Sequence, residues 1–341
     1  MNIPTRRSRK LGHPLSLARP WHLAPAIAIA IMVVLSPSPL VAQIPPRFYW
    51  KTLSGANAVP VIFQSLSGNA NPIDPAHVVL PDSNIDANVL IAGYARTLSL
   101  FDRAVTLAVL EPMGRISGET SLGGLTYDQD ATGFGDPMME AGINLIGPKV
   151  LKTIPDLLRY EPGFSLDLIM DMAFPIGEYD SDQPLNLGQN RWYGRVGAPV
   201  VWQFGPWVPG RRTTLEVLPS MWLFSDNNDY VGQTLSTDPM FQLEAHLTRD
   251  FTDHFWGSLD STYMGGGKSH IDGVAGESLN NLGVGFTLGY QINDNLSVTA
   301  GYMATVNDSS PGDLQMDGFR LSVTYGWHRI VEGQKRLKGG E

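Results

Sequence analysis

The chain has 341 residues, 24 basic against 33 acidic, a formal net charge of −9 and no cysteine. Without thiols there are no disulfides, thiolate metal sites or cysteine nucleophiles, and the acidity argues against the basic surface that nucleic acid requires. A mean hydropathy of −0.06 is ordinary for a soluble protein, but it equally suits a wall whose apolar and polar residues alternate and cancel in the average.

The first element is a basic region of Arg6, Arg7, Arg9, Lys10 and Arg19, then the apolar run Leu23–Leu35, Pro37 and Pro39, and the small residue Ala42 before Gln43. This is the pattern of a cleaved signal peptide over residues 1–42. An uncleaved membrane anchor would need a longer apolar run. A twin-arginine signal lacks its apolar residue after Arg6-Arg7, and a barrel crosses the inner membrane unfolded. Cleavage after Ala42 removes five basic and no acidic residues, which lowers the net charge from −9 by five, to −14.

Residues 43–58, with Phe48, Tyr49 and Trp50, read as a periplasmic lead-in that can tuck into a barrel mouth. Twelve strand-like runs follow, near 59–66, 86–100, 104–117, 136–147, 163–175, 191–204, 213–225, 239–251, 255–264, 280–292, 296–306 and 318–327. The last three show the pattern most plainly. Leu282, Val284, Phe286, Leu288, Tyr290 and Ile292 alternate with small or polar residues, as do Leu296, Val298, Ala300, Tyr302, Ala304 and Val306, and then Phe319, Leu321, Val323, Tyr325 and Trp327. Period-two alternation of this length fits tilted strands with one face to lipid and one to a lumen. Short connections at Asp102-Arg103, 252–254 and 293–295 alternate with long Gly- and Asp-rich loops at 67–85, 118–135, 176–190, 226–238, 265–279 and 307–317. The exception is 149–162, a long inner connection in which Val150, Leu151, Ile154, Leu157 and Leu158 suggest a short amphipathic helix.

The expected fold is therefore all-β: a transmembrane antiparallel up-and-down β-barrel of about 12 strands over residues 59–327, with a polar tail at 328–341. Aromatic pairs near strand ends (Trp192 and Tyr193, Trp202 and Trp207, Trp222 and Phe224, Phe255 and Trp256, Tyr325 and Trp327) suit interfacial girdles. A soluble β-sandwich would leave the export signal and the sustained alternation unconnected.

Several stretches imitate chemistry. Gly265-Gly266-Gly267-Lys268-Ser269 resembles the end of a phosphate loop, but Thr262 stands where another glycine is needed and no helix follows. Outer-membrane phospholipase A is a twelve-strand barrel with a Ser-His-Asn site, imitated here only by His246 and Thr248. Their neighbours Phe241, Leu243, Ala245 and Leu247 take the lipid side, which turns both inward, so no enzyme and no cofactor is expected. The acids Glu178, Asp180, Asp182, Asp226 and Asp229 are candidates for a divalent cation bridging lipopolysaccharide, or are simply solvated. The inward register carries Glu140, Asp167, Asp171, Arg191, Arg195, Glu216, Glu244, His246, Asp260 and Arg320. Ionisable groups at bilayer depth face water or one another, so these ten are the lumen-facing candidates, whether they brace the wall or select solutes.

Thr132-Gly133-Phe134-Gly135-Asp136-Pro137, then Pro175-Ile176-Gly177-Glu178-Tyr179 with Leu185-Asn186-Leu187-Gly188-Gln189-Asn190-Arg191-Trp192, and Asp260-Ser261-Thr262-Tyr263 before Gly265-Gly266, together resemble the outer-membrane transporter family named for the meta-pathway of phenol degradation. The resemblance covers most of residues 55–327. It implies a Gram-negative outer-membrane barrel that passes hydrophobic or aromatic compounds, and it brings no catalytic residues. The ending departs from the usual barrel pattern, since Trp327 is followed by a polar tail with Lys335, Arg336 and Lys338. The expected partners are the bilayer, lipopolysaccharide, a small-molecule solute and the barrel-assembly machinery. The competing function is a non-conducting structural or adhesion barrel with a plugged lumen.

Overall fold

The computed structural model describes residues 44–338 apart from Gly123, Pro162, Asp308, Ser309 and Pro311, so the signal peptide expected at 1–42 lies outside the described residues. Alternation turns each strand into a two-faced ribbon, and closing the ribbons into a ring leaves no sheet edge unpaired. The ring begins with β1 (Asn57–Gly68), β2 (Asn84–Leu100) and β3 (Arg103–Leu122). β4 (Leu125–Phe134) pairs with the outer part of β3, and β5 (Met138–Ile146) with its inner part. β6 (Phe164–Ala173) follows, then β7 (Tyr193–Gly197) and β8 (Val200–Phe204), which share one place between β6 and β9 (Thr213–Phe224). After an excursion through β10 (Asn227–Tyr230) and β11 (Gln233–Thr237), the wall resumes with β12 (Met240–Asp250) and β13 (Phe255–Gly266). A second excursion, β14 (Ser269–Ile271) and β15 (Val274–Ala275), precedes β16 (Leu279–Gln291), β17 (Leu296–Thr305) and β18 (Met316–Trp327). β18 pairs back on β1 and closes an antiparallel barrel of 12 strands.

The register follows from side-chain period. On β9, Thr214, Glu216, Leu218, Ser220 and Trp222 are buried, while Met221 and Leu223 are exposed on the opposite face. Turns at the inner end are short for local reasons. Phe101 and Asp102 both adopt the left-handed region (φ 51° and 58°), as a two-residue hairpin between Leu100 and Arg103 requires. At the β16–β17 turn, the Asn293 carboxamide oxygen accepts from the N–H groups of Asn295 and Leu296.

Several expectations need correction. The loops expected at 118–135, 226–238 and 265–279 are partly strand. β3 and β4 form a hairpin rising above the wall, and β10, β11, β14 and β15 pair into a separate four-stranded sheet. The strand expected at 191–204 is broken between Gly197 and Val200, where Pro199 has no N–H to give the ladder. The helix in 149–162, α1, spans only Ile154–Leu158 and buries nothing. The apolar residues Val150 and Leu151 are buried outside it, where Leu151 bridges Leu53. The polar tail forms a helix, α2 (Arg329–Lys338). The aromatic girdle is also only partial: Trp192, Trp202 and Tyr325 are exposed, but Tyr193, Trp222 and Trp256 are buried. Two adjacent strand residues point to opposite faces, so Trp192-Tyr193 and Phe255-Trp256 could not both face lipid. Gly289 makes room for the inward indole of Trp256, whose ring lies 2.0 Å from where a Cβ would stand.

Candidate functional site in the lumen

Residues 44–54 run inside the inner half of the barrel and out to its rim before β1 begins. The Ile44 N–H donates to Glu244 (2.9 Å), the Arg47 N–H to Glu216 (3.0 Å), and Trp50 Nε1 to the same carboxylate (3.1 Å). Lys51 Nζ sits 2.5 Å from Asp167, and the Arg47 guanidinium 2.7 Å from Asp250. That guanidinium lies between the rings of Trp256 (4.1 Å) and Trp50 (4.3 Å), and Arg212 stacks on Trp50 and Trp207 while sharing Asp250. The cavities beside the segment are about 40 Å³ and 10 Å³, room for very few water molecules.

The ten residues singled out in the sequence divide into groups. Arg195 joins Asp171 (2.6 Å) to Glu244 (2.9 Å), and Glu140 stands opposite Asp171 in the register. His246 Nδ1 lies 2.8 Å from Asp260, which also accepts from Ser258 and Thr287. Asp167 and Glu216 hold the N-terminal segment. Arg320, half-buried, is opposite Gln64 and Gly301. Arg191 stands apart: it precedes β7 and pairs with Asp74 of an outer loop (2.8 Å) and Thr237 (2.9 Å). Sequence reasoning grouped it with Arg195 because the two sit four residues apart, and it overlooked Arg47, Lys51, Asp74, Arg212 and Asp250. For Arg47 and Lys51 the basic-aromatic run 47–51 was the available signal. For Asp74 there was none.

Above the charged level, successive strands contribute a ring of buried apolar side chains: Tyr193, Trp222, Met240, Met264, Met303 and Met316, filled by Ala70 and Leu314 from outer loops. The glycine-rich stretches converge above it. A Cβ on Gly177 would meet the Gly135 carbonyl carbon at 2.5 Å, and one on Gly188 would meet that of Gly177 at 2.7 Å, so three backbones stack where only hydrogen fits. Asp136 locks the stack by accepting the N–H groups of Gly177 (2.9 Å) and Gln189 (2.8 Å). In the neighbouring loop His77 is buried, and desolvation lowers its pKa to about 4, Asp74 offsetting only part of this.

None of the imitations assembles. Ser258 bonds Asp260 rather than the imidazole, and Thr248 bonds Thr214 at 2.5 Å. Lys268-Ser269 leads into β14, not a helix. Among the described residues no three acidic or histidine side chains converge as a metal site.

The sequence profile of the family described as "Putative MetA-pathway of phenol degradation" matches residues 67–323. The chain belongs to this family. No curated protein sequence matches it. Among solved structures, the COG4313 outer membrane channel from Pseudomonas putida F1 is similar with a TM-score of 0.67 at 19% identity, covering 84% of this chain and 100% of that one. The translocator domain of the autotransporter NalP from Neisseria meningitidis (TM-score 0.42, 10% identity, 80% and 89% covered) and outer membrane phospholipase A from Escherichia coli (0.40, 10%, 83% and 94%) are remoter. The first of these establishes the outer-membrane barrel fold for this family member.

Proposed function

We propose that the protein is an outer-membrane channel that passively admits small hydrophobic or aromatic compounds, with residues 44–54 seated in the lumen as a movable constriction. The observation that carries this is the sequence of environments along the barrel axis. The Met-rich and aromatic ring at the outer mouth suits apolar solutes of variable shape, and it stands above a charged level in which Asp167, Glu216, Glu244 and Asp250 hold a segment of the chain. Membership of a family named for phenol degradation and likeness to a channel support the same reading. Residues 1–42 act as the export signal, the barrel-assembly machinery inserts the product, and the acidic outer loops meet lipopolysaccharide. The inward ionisable residues other than Arg191 then tune the path or its constriction, Arg191 braces an outer loop through Asp74, and the protein is not an enzyme.

A second reading, a non-conducting barrel, is favoured by the small cavities beside the seated segment. Permeation into proteoliposomes separates the two. The channel reading expects a phenolic solute to equilibrate faster than through protein-free vesicles and faster than a sugar of similar size. Equal rates with and without protein refute it.

A further inference from the structure

We infer that the inner rim of the barrel carries a binding site for the phosphodiester headgroup of an anionic phospholipid, formed by Arg96 and Arg329 on either side of a groove at the β1–β2–β18 seam. The groove measures about 330 Å³ and is bordered by Tyr94, Arg96, Trp327, His328, Arg329 and Ile330, with no carboxylate on its walls. Both arginines are exposed, and neither has an acidic partner among the described residues.

Their placement selects lipid over soluble anions. On β2 the side chains of Leu90, Tyr94 and Leu100 are exposed on the outer face while Thr97 is buried inside, so Arg96 belongs to the lipid-facing register. It lies near the inner turn Phe101-Asp102, where a long cationic side chain reaches headgroup depth with its stem in the apolar layer. Tyr94 and Trp327, 6.3 Å apart, provide the interfacial aromatic pair, and the Tyr94 hydroxyl donates to Asn57 at 2.7 Å. Toward the midplane the same seam exposes Val61, Phe63, Leu90 and Val323, a track for an acyl chain.

The second arginine is positioned by α2. His328 Nε2 lies 3.0 Å from the Ser54 carbonyl and its Nδ1 accepts the Ile330 N–H at 3.3 Å, so one neutral imidazole satisfies both and ties the start of α2 to the barrel mouth. Arg329 is thereby held at the groove as its second cation. Guanidinium groups suit this task because their planar donors match two phosphate oxygens at once.

The test is native mass spectrometry of the full-length barrel released from mixed phosphatidylglycerol and phosphatidylethanolamine vesicles. Wild type should retain one phosphatidylglycerol through detergent exchange. R96Q/R329Q should retain it about ten-fold less and R96K/R329K, which keeps the charges but not the planar donors, should fall between the two, whereas R249Q, which removes an exposed rim arginine elsewhere, should resemble wild type. Heat-modifiable migration on gels checks that each variant is folded. Equal retention by R96Q/R329Q, or equal loss in R249Q, overturns the proposal. Displacement of the lipid by millimolar inorganic phosphate overturns it too, by showing a site for soluble anions.

Discussion

Removing the Arg47 guanidinium while keeping its backbone contact tests whether the lumenal segment is a constriction. Arg47→Gln retains the N–H bond to Glu216 but loses the 2.7 Å ion pair with Asp250 and both ring contacts. The charged hydrogen bond contributes about 1.5–3 kcal/mol and each ring contact about 0.5–2 kcal/mol. The guanidinium no longer has to be desolvated, which offsets part of this. The net loss of about 2–4 kcal/mol shifts the balance between seated and unseated segment about 30- to 700-fold toward release. Asp250 keeps Arg212 at 2.7 Å, so the barrel wall itself should be unharmed. In planar bilayers the variant is expected to show larger or more frequent open events than wild type, with unchanged migration of the folded form on gels. Identical conductance and gating in the two proteins would refute the reasoning, because a segment held by these contacts cannot lose them and stay equally seated.

Three further outcomes are expected. Val217→Arg should destabilise folding into bilayers by about 2–4 kcal/mol, more than Glu216→Gln on the inner face; refolding titrations giving the reverse order would mean a register slipped by one residue. Arg195→Gln should move the reversal potential toward cation selectivity, since it leaves Asp171 and Glu244 without their shared partner; Arg191→Gln should leave the reversal potential unchanged and loosen the outer loop through Asp74, read by limited proteolysis. His77 binds its proton near pH 4 in the folded loop but near 6.5 when unfolded, so the unfolded state holds more protons between these values and the loop loses stability as pH falls from 6.5 toward 4. Amide protection factors at residues 69–83, exchange rates corrected for their intrinsic pH dependence, should fall over that window in wild type and stay flat in His77→Leu.

Much of the fold was legible in the sequence because a strand's two faces are written in its own alternation. Residues such as Leu215, Val217 and Leu223 against Glu216 and Ser220 determine which side meets lipid, whatever the neighbours are. The family resemblance was legible for a different reason: stacked backbones at Gly135, Gly177 and Gly188 tolerate no side chain, so the sequence must spell glycine at set positions. What only the tertiary structure decided is partnership. Arg191 and Arg195 look alike in sequence, yet one closes on Asp74, 117 residues away, and the other on Asp171 and Glu244. Nor does the local pattern of Arg47, Trp50 and Lys51 say that they enter the barrel and meet Asp250, Glu216 and Asp167. Alternation is a property of one strand, whereas an ion pair across a lumen depends on closing the ring, and closure brings together residues whose separation along the chain carries no trace of it.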